Sequence, residues 1–461
     1  MTALAITTIV IVAGTLTIMW RKRAEDTAAR SAWQPPAQTF LEASMRVPPI
    51  PGWRTRITDL GLPASAPDVA GRSMIATNDD AFESNPFVGN LGKDAYFVAS
   101  SPGAPDPQWW LVGINVRDGR SLFPAVRLSA EMRAPKCFLN GPTNVLCLRK
   151  DIKNITAWVV DARSGRVSYT GPTDLRTTPP RLNVYQVGTY TVASTEGQGV
   201  YGVGPHAETT WFVPGNGHVD QRYASPRDTE NLLLASQTTR GRGSDGEVVF
   251  SLRDGAVIRP ELTDNSEQQT TVIYPGGFAA DIAVREKHER RVQFFNETGK
   301  RMSPKSIDGE LNTHAPDLPL VEMLHNHWAV FTPDGVKLLE VSGEKPVEAR
   351  LIGTTLFVAA AGSAGGPGWQ QYNLRTGATG KACDYHLGHA YYIGTDGAVA
   401  VASYGNPNVG RVVEAYDLAT CDALWTLRSP IGSFHDVWRV DTTLVQLSDD
   451  GTELASLVAP G

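Results

Sequence analysis

A strand–turn–strand pattern recurs along most of this chain and constrains its fold more than any other feature. In Glu414–Trp425 an alternating run leads into a tight turn, and a second run follows. Asp-Gly and Asn-Gly sequences supply the positive-φ backbone that tight turns between antiparallel strands need. Alternating residues on both sides bury one face of each strand. Further copies lie at Ile114–Phe123, Trp158–Val167, Val249–Ile258, Phe294–Lys300, Val330–Leu339, Gln371–Ala378 and Val445–Leu454, with a weaker one at Trp211–His218.

The spacing of the turns predicts an all-β fold, a β-propeller. Most of the turns are roughly 40 residues apart, the length of a propeller blade. We predict eight blades, with seven as the alternative, because the copies at Gly217 and Gly335 are irregular. The early copy at Gly451 predicts a closing blade whose missing strand comes from the N-terminal side. A pair of β-sandwiches, or β-rich repeats without closure, is the competing architecture. The turn residues are Gly119, Gly165, Gly217, Gly255, Gly299, Gly335, Gly377, Asp422 and Gly451.

The turn sequences Y-D-L-A-T at Tyr416–Thr420 and N-L-R-T-G at Asn373–Gly377 approximate the pattern D-x-x-T-G and resemble the repeat of quinoprotein-like (PQQ-like) β-propellers. The resemblance covers approximately residues 90–460. It implies the fold and says little about function, because propellers host unrelated activities. A quinone-dependent dehydrogenase of this kind would carry two adjacent cysteines near the quinone, and none are adjacent here. We therefore predict no quinone and no other cofactor.

The N-terminal region divides into an anchor and a linker. Ala3–Trp20 is apolar and uncharged, long enough to cross a hydrocarbon core, and Arg21–Arg23 follow it. No cleavage site is evident, so we predict an uncleaved transmembrane anchor over residues 1–23. Residues 24–72 are rich in proline and form a linker; its segment Val47–Arg54 is expected to pack on the propeller of residues 73–461. The basic residues after the anchor favour a cytoplasmic propeller by the positive-inside rule.

The cysteines favour the opposite side of the membrane. Cys137 and Cys147 flank a turn centred on Pro142 and would lie directly opposite each other on paired strands, close enough for a disulfide. Cys383 and Cys421 lie near the turns of two successive repeats, so a second bridge is possible. Disulfides indicate an oxidising compartment. We predict a single-pass cell-membrane protein with its propeller on the periplasmic side; four free thiols in a cytosolic protein are the alternative.

Few residues suggest chemistry. Trp109 and Trp110 are adjacent, so on a strand one faces the core and the other could contact a ligand. His325 and His327 would share one face of a strand and, with His386 and His389, could hold a metal; rim histidines are the better interpretation, and no metal is predicted. Five other tryptophans are expected to fill spaces between blades: Trp158, Trp211, Trp328, Trp425 and Trp438. The loops Gly204–Thr210 and Lys305–Pro319 are candidates for a functional rim, because propeller function usually lies on loops.

The sequence points to binding and away from catalysis. No nucleophile-elbow or zinc-protease motif occurs. The net charge of −6 argues against a nucleic-acid partner. The anchor, the segment Pro48–Pro63 and the degenerate repeats resemble the actinobacterial membrane-anchored propellers of the cell envelope, the group of the mycobacterial polar growth factor. That resemblance implies an adaptor in envelope assembly and polar growth that works with the trehalose monomycolate exporter and a glycolipid. A purely protein–protein scaffold and an extracytoplasmic lyase or dehydrogenase-like enzyme are the alternatives.

Overall fold

The computed structural model shows an all-β chain. Among the residues that the structure describes, helix is confined to a short helix at residues 27–32 and a 3-10 turn at Ile57–Leu60. Contacts divide the chain into two compact units, which are described separately: a larger unit of Thr39–Arg259 and His386–Gly461, and a smaller unit of Met1–Gln38 and Pro260–Tyr385. The structure describes residues 27–63, 71–76, 85–103, 105–150, 154–176, 183–219, 232–239, 246–262, 266–284, 289–313, 315, 317–360, 368–384, 387–388, 391–406, 410–430 and 436–461.

Six antiparallel sheets make up the described part of the larger unit, and each sheet is called a blade here. The first strand of the unit is β1 (Ile50–Arg56), which pairs with the last strand of the chain. Blades I to IV follow in chain order. Blade I is β2 (Met74–Ile75), β3 (Phe87–Leu91), β4 (Asp94–Ser101), β5 (Gln108–Asn115) and β6 (Val126–Ala130); blade II is β7 (Lys136–Leu139), β8 (Asn144–Lys150), β9 (Ile155–Asp161) and β10 (Val167–Pro172); blade III is β11 (Val184–Val187), β12 (Tyr190–Thr195), β13 (Gly199–Val203) and β14 (Thr209–Pro214); blade IV is β15 (Leu234–Thr238), β16 (Glu247–Ser251) and β17 (Val257–Ile258).

The smaller unit contributes blades V to VII, and the chain then returns to the larger unit for two more blades. Blade V is β18 (Ser266–Tyr274), β19 (Gly277–Val284), β20 (Glu289–Asn296) and β21 (Ile307–Asp308); blade VI is β22 (Glu310–Leu311), β23 (Leu320–Met323), β24 (His327–Phe331) and β25 (Lys337–Ser342); blade VII is β26 (Pro346–Ile352), β27 (Thr355–Ala360), β28 (Trp369–Asn373) and β29 (Thr379–Cys383). Blade VIII is β30 (Tyr392–Thr395), β31 (Val399–Asn406), β32 (Gly410–Asp417) and β33 (Ala423–Arg428); blade IX is β34 (Asp436–Val440), β35 (Thr443–Leu447), β36 (Glu453–Val458) and β1.

The described residues therefore form nine sheets, and the predicted eight blades are wrong. Of the two repeats that are irregular in sequence, the Gly335 repeat marks the hairpin of a complete blade and the Gly217 repeat does not. The Gly335 turn joins β24 to β25 in blade VI. In blade III the turn between β13 and β14 is Gly204–Glu208, where Ala207 takes the positive φ of 59°. Gly217 lies beyond β14, so its positive φ does not mark a hairpin of that blade.

The hairpin turns follow one hydrogen-bonding pattern. A polar side chain at the end of one strand accepts backbone N–H groups of the turn, as Asp161 Oδ1 does from Ser164 N at 2.8 Å. Three or four residues on, a residue with positive φ closes the turn, as Gly165 N does by donating to Asp161 O at 2.9 Å. Such side-chain bonds to nearby amides are what make Asx residues good turn formers. In blade VIII the positive-φ position is Cys421, at 73°, and not the predicted Asp422.

The N-terminal strand completes blade IX, as the early Gly451 repeat predicted. Strand β1 runs antiparallel to β36, with Thr55 opposite Leu454 and Ile50 opposite Val458. Thr55 is buried, and its hydroxyl donates to Gly119 O at 2.6 Å. The first and last strands of the larger unit thus share one sheet, and Ile50–Arg56 is part of a blade.

The segment before β1 packs on the larger unit. Leu41 and Met45 are buried in the core of blades VIII and IX. Met45 O accepts the indole N–H of Trp425 at 2.7 Å, and Arg46 forms an ion pair of 2.9 Å with Asp417. These contacts hold the chain against the turn of blade VIII before it enters the sheet.

The membrane placement requires correction. A spanning helix needs about 20 apolar residues, and the described helix at residues 27–32 has far fewer. No described helix is long and apolar enough to cross a membrane. The predicted anchor segment, Ala3–Trp20, lies outside the described residues. The finding goes against a single-pass cell-membrane protein with a periplasmic propeller, and that localisation is not retained.

Candidate functional site

The two adjacent tryptophans lie on β5 and point to opposite sides of blade I. Trp109 is buried in the core shared by blades I and II, and its indole N–H donates to Glu131 O at 2.8 Å. Trp110 packs against the core shared by blades I and IX, and its indole N–H donates to Ser101 Oγ at 2.9 Å. Both rings are engaged in packing, so they offer little surface to a ligand.

The histidines do not form a metal site in the described part of the chain. His325 lies in the turn between β23 and β24 with a φ of 65°. His327 begins β24, where its Nδ1 lies 3.3 Å from Ser342 Oγ and 4.0 Å from Glu340 Oε1. His386 and His389 lie outside the described residues. Among the residues that are described, no group of three or more His, Cys, Asp or Glu side chains could hold a metal ion.

The cysteines are oxidised. Cys137 on β7 and Cys147 on β8 lie directly opposite each other and form a disulfide, as their spacing predicted. Cys383 and Cys421 are also disulfide-bonded. All four cysteines therefore act in structure, and none is a free nucleophile.

A groove runs along the outer edge of blade III and is the best candidate for a binding site. We call it the β14 groove; Arg176, Tyr201, Trp211, Phe212, Pro214 and Thr239 line it, and its volume is about 910 Å³. Strand β14 is the last in the hydrogen-bonded order of its sheet, and no other described strand pairs with it on its far side. The volume lies in the range that suits small ligands and short peptides.

Aromatic and cationic side chains stack along one wall of the β14 groove. Phe212 is 48% exposed, and its ring stacks on Tyr201 with centroids 4.7 Å apart and planes 28° from parallel. The Arg176 guanidinium carbon lies 6.0 Å from the Tyr201 ring centroid, a cation–π distance. Tyr201 faces Phe212 directly across the β13–β14 pair, so the sheet register sets the stack.

The opposite side of β14 anchors the groove to the core. Consecutive strand residues face opposite ways, so Trp211 points away from Phe212 and packs on Phe250 with centroids 5.8 Å apart. A side chain at Gly202 could not be accommodated, because a Cβ there would lie 2.2 Å from the Trp211 indole. The glycine therefore fixes the position of Trp211.

Buried and capping side chains bind both ends of β14. Asp174 Oδ1 accepts the Thr209 N–H at 2.8 Å. At the other end Gln237, which is 2% exposed, donates through Nε2 to Val213 O at 2.9 Å. Apart from the ladder to β13, the backbone of Thr210–Phe212 makes no hydrogen bond within the part of the chain that the structure describes. The middle of the strand edge is thus open between two fixed ends.

Comparison with known proteins places this architecture in a family. Residues 25–460 match the conjugation-associated 9-bladed β-propeller domain, nearly the whole chain. The chain belongs to this family. A relative described as an uncharacterized protein of Mycolicibacterium smegmatis (strain MKD8) is 40% identical over 478 residues, covering 100% of this chain and 95% of its own length.

Solved structures resemble the propeller only distantly. A eukaryotic initiation factor aligns with a TM-score of 0.44 and 10% identity over 79% of this chain and 90% of its own. Dipeptidyl peptidase 4 of Porphyromonas gingivalis aligns with a TM-score of 0.39 and 9% identity over 79% and 63%. At these scores the likenesses add nothing on function.

Membership in the conjugation-associated propeller family confirms a β-propeller and sets its blade number at nine, in place of the predicted eight. The same number of sheets is found in the described residues. The match gives no support to the PQQ-like repeat or to the polar growth factor group. The predicted propeller is thus right at the level of fold class and wrong in blade count.

The sequence does not predict the β14 groove as a binding site, but it does predict a functional role for the loop that precedes β14. The loop Gly204–Thr210 was predicted as part of a functional rim, and it leads directly into β14. The sequence predicts that Trp211 fills the space between blades, and its contact with Phe250 agrees with this prediction. The adjacent aromatic residues Trp211 and Phe212 could have indicated the site from sequence. If the ring of one faces the core, the ring of the next residue on the strand must face outward.

Proposed function

We propose that this chain is a non-catalytic binding scaffold for a protein partner in a conjugation-associated assembly. The observation that supports it is the β14 groove, an aromatic-lined strand edge on a member of a conjugation-associated propeller family. Exposed aromatic and arginine side chains are the residues that most often carry protein–protein binding energy. Phe212 and Arg176 supply both types in one groove.

The acids with shifted pKa values have structural tasks, which favours binding over catalysis. Asp417 and Asp450 have pKa values lowered chiefly by hydrogen bonds within their turns, that of Asp450 to about 2. Burial raises the pKa of Asp281 to about 6, and its carboxyl group accepts the Leu311 N–H at 2.8 Å. Perturbed groups in an active site would instead converge on a cleft. None of these three lines the β14 groove.

The test is the frequency of conjugal DNA transfer in a strain whose gene for this chain is deleted. Complementation with the wild-type chain should restore transfer. Complementation with the double variant Arg176→Gln/Phe212→Ser should leave it at least roughly tenfold lower, since loss of two interface anchors costs more than 1.4 kcal/mol of binding. Unchanged transfer after deletion would refute a role in conjugation.

Photo-crosslinking identifies the contact surface. A benzoylphenylalanine in place of Phe212 should crosslink to one reproducible protein, identified by mass spectrometry in the transferring strain. The matched control replaces Met132, which is 76% exposed on the segment between blades I and II. Equal crosslinking from both positions would show that the groove is not the contact.

A glycolipid of the trehalose monomycolate kind, with a membrane transporter or another envelope protein as partner, is the second candidate. The Tyr201–Phe212 stack offers a flat face to a sugar ring. An acyl chain would need an enclosed apolar cavity, and the apolar gap between Leu318 and Leu356 in the smaller unit has no room even for a water molecule. Native mass spectrometry of the chain mixed with trehalose monomycolate tests this candidate, and a stoichiometric complex that Phe212→Ser abolishes would favour it over the protein partner.

A further inference from the structure

We propose that the β14 groove binds an extended peptide segment that pairs with the edge of β14 and places a carboxylate side chain against Arg176. The proposal rests on the scaffold function and adds the binding mode and the chemistry of the partner. The occupant is a strand of a partner protein with an acidic residue and an apolar one two positions apart, so that both side chains lie on the same face as Phe212 and Tyr201.

The open edge of β14 provides the main-chain hydrogen bonds to the peptide. An added strand gains main-chain hydrogen bonds to an open sheet edge, and its alternate side chains enter pockets on each face. Thr210–Phe212 is such an edge, because its outward backbone groups have no partner within the described residues. Three residues extend about 10 Å along a strand. Asp174 and Gln237 bind the two ends of β14, so the added strand must pair with the middle.

Arg176 supplies the charge selectivity. Its side chain is exposed and forms no ion pair within the described residues, and its guanidinium is held over the Tyr201 ring. Arg binds carboxylates through paired N–H donors, and its stacking on an aromatic ring leaves the edge of the guanidinium free to donate. Asp174, the groove's own carboxylate, already accepts a backbone N–H from Thr209. The cation is therefore the group still available to a partner.

The aromatic stack of Tyr201 and Phe212 provides the apolar contact with the peptide. The exposed Phe212 face adjoins the cation–π pair, so an apolar side chain on Phe212 and an acidic one on Arg176 come from the same short segment. A basic peptide would meet Arg176 with like charge and lose affinity. Charge complementarity thus favours an acidic occupant, although the chain as a whole carries a net charge of −6.

Three blocked hexapeptides test the mode on the full-length chain: acetyl-TVEFVT-amide, acetyl-TVQFVT-amide and the first peptide N-methylated at alternate backbone nitrogens. Dissociation constants come from calorimetry, with the change in the total tryptophan fluorescence of the chain as a second readout. The Glu peptide should bind about tenfold more tightly than the Gln peptide, the size of one charge-assisted hydrogen bond. The N-methylated peptide should not bind, because it cannot pair with the strand edge.

Variants assign the effect to residues. Arg176→Gln should remove the preference for Glu, and Phe212→Ser should weaken both unmodified peptides. Arg117→Gln is the matched control, since Arg117 is exposed in the turn of blade I and should keep the preference. Circular dichroism melting confirms that each variant is folded.

The outcomes separate the binding mode from the scaffold function. No binding by any peptide, equal affinity for Glu and Gln, or undiminished binding of the N-methylated peptide would overturn the mode. If the Phe212 crosslink and the transfer defect are still seen, the scaffold function stands without it. Peptide binding as expected, with unchanged conjugal transfer after deletion, would keep the mode and refute the conjugation role.

Discussion

At the scale of single residues, Asp281 is a buried ionisable side chain of the smaller unit. It is 2% exposed on β19, and burial raises the pKa of its carboxyl group to about 6. The Leu311 N–H and Arg290 favour the charged form, whereas Glu310 and Glu322 oppose it. The folded state therefore prefers a protonated Asp281, while an unfolded chain ionises the group near its ordinary pKa of 3.8.

The sign of the pH dependence follows from linkage. A group with a raised pKa in the folded state contributes stability that is complete below its unfolded pKa and is lost as the pH rises through the folded pKa. Between pH 4 and pH 7, Asp281 should lower the free energy of unfolding by up to roughly 3 kcal/mol. Asp281→Asn keeps an acceptor for Leu311 N–H and should remove this loss. Urea unfolding of both proteins at the two pH values measures it.

A second substitution controls for the loss of a carboxylate that is not buried. Asp384→Asn removes an exposed carboxylate of the same unit and should leave the difference between pH 4 and pH 7 as in the wild type. If Asp281→Asn shows the same pH dependence as the wild type, Asp281 is not the group that titrates.

At the scale of elements, the turns decide how well a blade can be recognised in sequence. Hairpin turns are local, since a polar residue and a positive-φ residue three or four positions later form them, and the Gly165 and Gly377 turns are found as predicted. The turn of blade III is not recognisable in the sequence, because its positive-φ residue is Ala207 and not a glycine. Gly217 has a positive φ and resembles a turn glycine, but it lies beyond β14. The β14 groove was beyond prediction because an open strand edge depends on which strand ends the sheet, a tertiary property.

Two turn glycines allow backbone strain to be separated from crowding. Gly165 and Gly197 have nearly the same φ, 69° and 70°, so alanine costs each about the same in the left-handed region, approximately 1 kcal/mol. A Cβ at Gly165 would lie 2.4 Å from the Phe123 ring, whereas nothing lies within 4 Å of one at Gly197. Gly165→Ala should therefore lose roughly 1–3 kcal/mol more, the usual cost of overpacking. Denaturant unfolding of the two variants compares them, and equal losses would show that Phe123 moves aside freely.

At the scale of the whole molecule, the pairing of β1 with β36 makes the larger unit depend on residues that are far apart in sequence. Without β1, β36 would present an open edge, and Trp53 and Thr55 would leave the blade I turn, where they bond Val116 O and Gly119 O. Open edges are sites of aggregation. The N-terminal strand should thus be required for a soluble, cooperative unit even though it precedes the repeats.

Two truncations test this dependence. A chain that begins at residue 39 keeps β1 and should melt close to the full-length protein, whereas a chain that begins at residue 61 should aggregate or melt well below it, because β36 has lost its partner. A synthetic peptide of residues 47–58 added in trans should restore part of the melting temperature, since it can pair again with β36 in the register of Thr55 to Leu454. The control peptide carries Thr55→Pro, which removes a backbone donor and the hydroxyl that binds Gly119 O. Equal melting of the two truncated chains would mean that blade IX is stable with three strands and that the stability of the larger unit does not depend on β1.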